Sequence, residues 1–292
     1  MVFEKLLSDP LSLSSYAFLL LSIASLWITR SRAVWAAAFA IALALGLLAG
    51  RVEALAIVPI ALLAVCFHVA QQGRYPVVLR VGGGTTGALL SIALAMHVVP
   101  GFDNWKILDG FALSDNAQAF SLYLNFDKPL VGLFILALGA PLLRGADAWK
   151  TMLREAAPIA LTGIALVYAA GYAFGYATFD PTFSSVFIVW ALRNLFFTCV
   201  AEEAFFRGFL QYRLEKALAS YRWGKPVSLA IAALLFGLAH FAGGPGYVVL
   251  ATIAGLVYGY VFQRTGRVEA SILTHFLLNA GHFLLFTYPA AL

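Results

Sequence analysis

Charge is scarce in this chain. Of 292 residues, 11% are Asp, Glu, Lys or Arg and 62% are hydrophobic, and the mean hydropathy is +0.88. A soluble domain is normally about a quarter charged, so the scarcity excludes an ordinary water-soluble protein and indicates an integral membrane protein. Cysteine is scarce too. Cys66 and Cys199 are the only two, both inside apolar runs, which excludes a disulfide framework. A basic leader region is also lacking: Glu4, Lys5 and Asp9 precede the first apolar run. That run reads as a retained span rather than a cleaved signal. Internal repeats and low-complexity tails are absent. The isoelectric point near 9.2 does not indicate nucleic acid. The basic residues stand in small clusters between apolar runs, as loop charges of a membrane protein do.

A membrane helix needs about 20 mostly apolar residues. Ten segments are expected to be such helices, roughly 11–29, 33–50, 54–70, 82–100, 129–143, 157–178, 183–212, 226–242, 246–263 and 269–288. The expected fold class is therefore all-α, a polytopic membrane bundle of about ten transmembrane helices. The fifth segment is short and opens at Pro129, a residue suited to the first turn of a helix. The seventh is long enough to tilt or to project beyond the bilayer.

Alternate loops divide the basic residues unevenly. One side holds thirteen: Arg30, Arg32, Arg74, Arg80, Arg144, Lys150, Arg154, Arg213, Lys216, Arg222, Lys225, Arg264 and Arg267. The other holds four: Lys5, Arg51, Lys106 and Lys128. Thirteen against four is a positive-inside pattern, and it places both termini and the long loop Gly101–Lys128 outside. That loop also marks the expected internal boundary. Residues 1–128 supply membrane helices nearly free of polar groups, plus the outer loop; residues 129–292 carry polar residues inside helices.

Three groups of those polar residues stand out: Glu202, Glu203 and Arg207 on the seventh segment, His240 four residues after Phe236 on the eighth, and His275 with Asn279 on the tenth. Glu203 and Arg207 are four apart, share a helix face and can pair. Pairing offsets part of the cost of charge at this depth, about 2.5–3.5 kcal/mol for each unpaired charge on translocon scales. Glu202 is turned roughly 100° away and has no obvious partner on its own helix. His275 and Asn279 also share a face. Glu202 and His275 fall in the middle-to-inner part of their segments, whereas His240 falls near the outer end of its own. The plainer reading is an interhelical hydrogen-bond network. It weighs little for Glu202 and more for Glu203 with Arg207, which can be scaffolding. His68 and His97 read as packed core residues. His282 does as well, although it lies one turn beyond Asn279 and is kept as a further candidate.

Glu202-Glu203-x-x-x-Arg207, Phe236-x-x-x-His240 and His275-x-x-x-Asn279, in this order on three apolar segments, resemble the signature of the CPBP intramembrane protease family. That family comprises the type II CAAX prenyl endopeptidases and the bacteriocin-processing or abortive-infection proteins. The resemblance covers roughly Pro129 to Tyr288. It implies a glutamate-dependent intramembrane endopeptidase core over 129–292, with the helices before it peculiar to a subfamily. Glu202, with His240, would activate a water; His275 and Asn279 would stabilise the oxyanion. Glu203 and Arg207, with Phe236, would hold the site in shape. The implied substrate is a membrane-bound or lipidated protein or peptide reached from the lipid bilayer, with no nucleic acid involved.

Other readings compete. Two histidines and a glutamate form a zinc-like set, but the spacing is not His-Glu-x-x-His on one helix, and no metal or other cofactor is expected. Cys199 stands three residues before Glu202 and could serve as a thiol nucleophile. A catalytic thiolate usually has a nearby cation, and a buried cysteine usually packs. Outside the enzymes, buried charge suits an ion- or proton-coupled transporter, although paired broken helices are not evident. A non-catalytic membrane scaffold or immunity protein would tolerate loss of the motif residues. High Ala, Leu and Gly content with compact loops indicates a bacterial inner (cell) membrane.

Overall fold

The computed structural model describes residues 2–292. The chain is predominantly helical: α1 (Val2–Leu7), α2 (Pro10–Ile28), α3 (Arg32–Leu48), α4 (Ile57–Gln71, after a 3-10 turn at Ala54–Ala56), α5 (Val77–Ala95), α6 (Asp127–Gly139), α7 (Ala146–Ala173), α8 (Val186–Arg193), α9 (Val200–Glu203), α10 (Tyr212–Ala217), α11 (Gly224–Leu238), α12 (Gly244–Thr265) and α13 (Val268–Leu285). Each of the ten expected segments is helical. The sheet is confined to the long loop, where β1 (Trp105–Phe111) and β2 (Phe120–Leu124) pair.

Among the described residues, six helical segments are long and apolar enough to cross a membrane: Pro10–Ile28, Ala54–Gln71, Val77–Ala95, Ala146–Ala173, Phe241–Thr265 and Val268–Leu285. Length and composition alone thus identify six candidate spans, and the expected count of about ten is not confirmed. Arg32–Leu48 and Gly224–Leu238 are apolar but shorter. α6 has 13 residues, about 20 Å at 1.5 Å per residue, and is buried nearly all round, with Leu130, Val131, Leu133, Phe134, Ile135 and Leu136 all in the core. A helix apolar on every face and too short to span is a core helix.

Helix boundaries follow local chemistry. Asp9 caps α2 by accepting from the Ser12 backbone N at 3.0 Å and from Ser12 Oγ at 2.6 Å, with Pro10 opening the helix. Gly266 ends α12 in the left-handed region at φ 63°, where a β-carbon would be strained.

Two compact units divide the chain, each built from three segments. The first takes in Met1–Asp109, Ser121–Leu142 and Phe196–Phe205. Within it α2 packs on α3, where Ser15 Oγ donates to the Ala42 carbonyl at 2.8 Å. Gln71 and Gln72 of α4 and its C-cap donate to the Ile135 and Leu138 carbonyls of α6, each at 3.2 Å. Trp105 of β1 is buried and stacks on Tyr16, centroids 6.2 Å apart.

The second unit takes in Gly110–Phe120, Leu143–Leu195 and Phe206–Leu292. α12 is its central helix, packed on α7, α11 and α13. A β-carbon at Gly255 would lie 3.1 Å from Ala233 Cα, so α11 and α12 meet nearly backbone to backbone. The chain after α13 folds back: the Thr287 N–H donates to the Thr178 carbonyl at 2.9 Å, and Trp190 Nε1 to Tyr288 Oη at 3.0 Å.

Candidate active site

The segment Val186–Ala217 alternates between two helical windings. α8 gives way to a π-helical stretch at Asn194–Cys199, α9 (Val200–Glu203) is α-helical, and a second π-helical stretch covers Ala204–Gln211 before α10. π turns inside α-helices recur at functional sites. Here the four α-helical residues between the two stretches include Glu202 and Glu203.

Glu202 and Glu203 belong to the first unit. Glu203 is fully buried. Glu202 is largely buried, and its Oε1 accepts from Lys128 Nζ at 2.6 Å. Lys128 is thus a partner for Glu202 from outside its own helix. Lys128 stands on the first turn of α6, which packs against α9. A β-carbon at Gly132 would lie 2.9 Å from Ala201 Cα.

Arg207, His240, His275 and Asn279 belong to the second unit. His240, His275 and Asn279 line one cavity of about 80 Å³, together with Phe236, His282 and the tyrosines Tyr168, Tyr176, Tyr247 and Tyr258. That volume admits several waters. Rings fix the two imidazoles. The Phe236 ring lies 4.7 Å from His240 and 5.7 Å from His275, and Tyr258 stacks on His275 at 4.6 Å.

His240 stands just beyond α11, as the residue before a 3-10 turn at Phe241–Gly243. Its Nδ1 is 2.8 Å from the Phe236 carbonyl oxygen. A carbonyl only accepts, so Nδ1 carries the proton, and in the neutral ring Nε2 presents a lone pair. This exit from the helix explains the depth expected for His240 near one end of its segment: the ring is steered by the carbonyl four residues back. Asn279 Nδ2 donates to Asn194 Oδ1 at 3.3 Å, which orients the amide.

Arg207 is fully buried and lies behind this cavity wall. It donates to the Gly255 carbonyl at 2.8 Å, and its guanidinium sits 4.6 Å from the Phe236 ring centre and 5.4 Å from that of Tyr258. Cation–π contacts of this kind are worth about 2 kcal/mol or more when desolvated. Phe236 and Tyr258 are the rings against which the two histidines pack. Tyr176 stacks on Tyr247 with centroids 5.2 Å apart. It lies beyond the end of α7, and burial, with Tyr288 nearby, pushes its hydroxyl above the ordinary value, so it stays a neutral donor. Cys199 is buried. Among the described residues no three His, Cys, Asp or Glu side chains gather as a metal ion would require.

The motifs contain Glu202, Glu203, Arg207, Phe236, His240, His275 and Asn279; the tyrosines, Asn194 and Gly132 carry no spacing signal, and Lys128 is distant in sequence. The comparison with known families agrees with the motifs. Residues 184–281 match the family model described as type II CAAX prenyl endopeptidase Rce1-like. The matched stretch, about a third of the chain, contains Glu202, Glu203, Arg207, Phe236, His240, His275 and Asn279. No curated protein and no solved structure matches the chain.

Proposed function

We propose that this protein is an intramembrane endopeptidase that cuts a membrane-associated or lipidated polypeptide by attack of an activated water. The observation that carries the reading is the gathering of His240, His275 and Asn279, from two of the three motifs, around one water-sized cavity, in a stretch that matches the CAAX endopeptidase family. In this mechanism Glu202, acting with His240, takes a proton from water as the water oxygen bonds to the scissile carbonyl carbon. The carbonyl oxygen becomes an oxyanion and is stabilised by donors from His275 and Asn279, each worth a few kcal/mol in such a role. Collapse of the intermediate re-forms the carbonyl and breaks the C–N bond. The leaving amine takes the proton first removed from water. Arg207 and Phe236, with Glu203, keep the site in shape. No metal enters the mechanism.

The substrate class proposed is a polypeptide near whose end the cut falls, with prenylated C-terminal peptides the first to try because the matched family is named for them. The proposed location is a bacterial inner membrane. The test compares peptide termini in membranes from cells carrying the wild-type protein or Glu202→Gln at matched expression. Termini that vanish with Glu202→Gln are the expected result, and they identify the substrate. An unchanged set of termini overturns the reading.

A further inference from the structure

Lys128 lies outside the three motifs and outside the stretch that matches the peptidase family, yet it is bonded to the carboxylate on which the proposed chemistry turns. The contact is short, 2.6 Å from Nζ to Oε1, and the two side chains are only 18% and 12% exposed. A buried ion pair is weak evidence of stabilisation, because desolvating both charges offsets much of their attraction. Stabilisation alone therefore does not account for the pair.

The fold places the ammonium with care. Gly132 is four residues after Lys128 and shares its face of α6. With no side chain there, α6 closes on Ala201, the residue before Glu202, to a distance that a β-carbon would reduce to 2.9 Å. The preceding residue, Asp127, is fully buried and pins the start of the helix. Its Oδ1 accepts from the Lys128 backbone N at 2.9 Å, and its Oδ2 is 2.7 Å from His97 Nδ1. His97 holds a left-handed backbone at φ 58°, uncommon outside glycine. One residue of the Asp127–Lys128 pair thus anchors the helix, and the next reaches the glutamate.

We propose that Lys128 is the positioning residue of Glu202: its ammonium, as a counter-charge, fixes the carboxylate that accepts a proton from water. This rests on the reading of Glu202 as the base. An ammonium also differs from a guanidinium in shape while sharing its charge, which gives a graded test.

The experiment measures Glu202-dependent termini over time in membranes carrying wild type, Lys128→Met, Lys128→Arg or Glu202→Gln. Rates are scaled to folded protein, measured as the monodisperse fraction after detergent extraction. Lys128→Met is expected to slow cleavage about 100-fold, the scale of a misplaced catalytic group. Lys128→Arg is expected to recover at least about a tenth of the wild-type rate, since it restores the charge. Wild-type cleavage by Lys128→Met, with none by Glu202→Gln, would overturn the role of Lys128 and leave the peptidase reading standing. Equal loss in Lys128→Met and Lys128→Arg, with both folded, would also overturn it, because charge would then not be what matters. Wild-type cleavage by Glu202→Gln would overturn the peptidase reading itself.

Discussion

The surroundings of Glu202 and the surroundings of the two histidines are built from different materials. Glu202 is held by a counter-charge from Lys128 and by the closeness of two backbones at Gly132 and Ala201. His240 and His275 are held by rings, with Phe236 against both, Tyr258 stacked on His275 and a carbonyl fixing the tautomer of His240. The difference follows from what each group costs to bury. A carboxylate in an apolar interior needs an opposite charge. A neutral imidazole needs only a partner for its N–H and something to stop the ring turning. Substitutions in the first setting should therefore act through charge and approach distance, and those in the second through packing and donor geometry.

Among substitutions in the ring-lined cavity, the largest effect is expected at its donor end. Asn279→Ala removes an amide and should lower the cleavage rate about 100-fold or more, the usual loss for an oxyanion donor, with thermal stability little changed. Initial rates and a melting curve on the same preparation check both halves. Phe236→Ala should differ in kind. It empties the space between the two imidazoles and beneath Arg207, costing about 3–5 kcal/mol of stability and slowing cleavage by loosening two groups at once. Gly132→Ala is the counterpart in the first unit. The added methyl meets the Ala201 backbone, and overpacking of this kind costs about 1–3 kcal/mol. Its activity loss should exceed its stability loss, because α6 carries Lys128.

The smallest effect is expected at Asp9, far in sequence from every motif. The Ser12 hydroxyl and amide, and after them Arg51, hold its carboxyl below its ordinary value of 3.8. Asp9→Ala should cost about 1 kcal/mol, as loss of a helix cap does. A depressed carboxyl contributes fully above about pH 4 and less as pH falls through its native value. The stability gap between wild type and Asp9→Ala should therefore close on acidification, as melting curves at several pH values would record.

Much of this arrangement was legible in the sequence, for identifiable reasons. Apolar runs mark helices because helices satisfy their own backbone, and all ten expected segments are helical. What apolarity does not separate is a helix that crosses a bilayer from one buried inside protein. α6 is of the second kind, and six helices among the described residues are long and apolar enough to cross. The motif residues Phe236 with His240 and His275 with Asn279 were legible as i, i+4 pairs. The hairpin of β1 and β2 was not, since Trp105–Phe111 and Phe120–Leu124 alternate only weakly. Nor was the partner of Glu202. Lys128 is 74 residues away and reads as the last residue of an outer loop. Only the approach permitted by Gly132 brings it to the carboxylate. The π-helical stretches beside Glu202 leave no mark in composition.

The most direct test of the account is the initial rate of cleavage of one identified substrate by purified protein in proteoliposomes, compared among wild type, Glu202→Gln and Cys199→Ala. The account predicts a fall of about 10²–10⁴-fold for Glu202→Gln, the range for loss of a general base, and a rate near wild type for Cys199→Ala. Cleavage that survives Glu202→Gln but disappears with Cys199→Ala would contradict it, because the attacking group would then be a thiolate rather than a water activated by the glutamate.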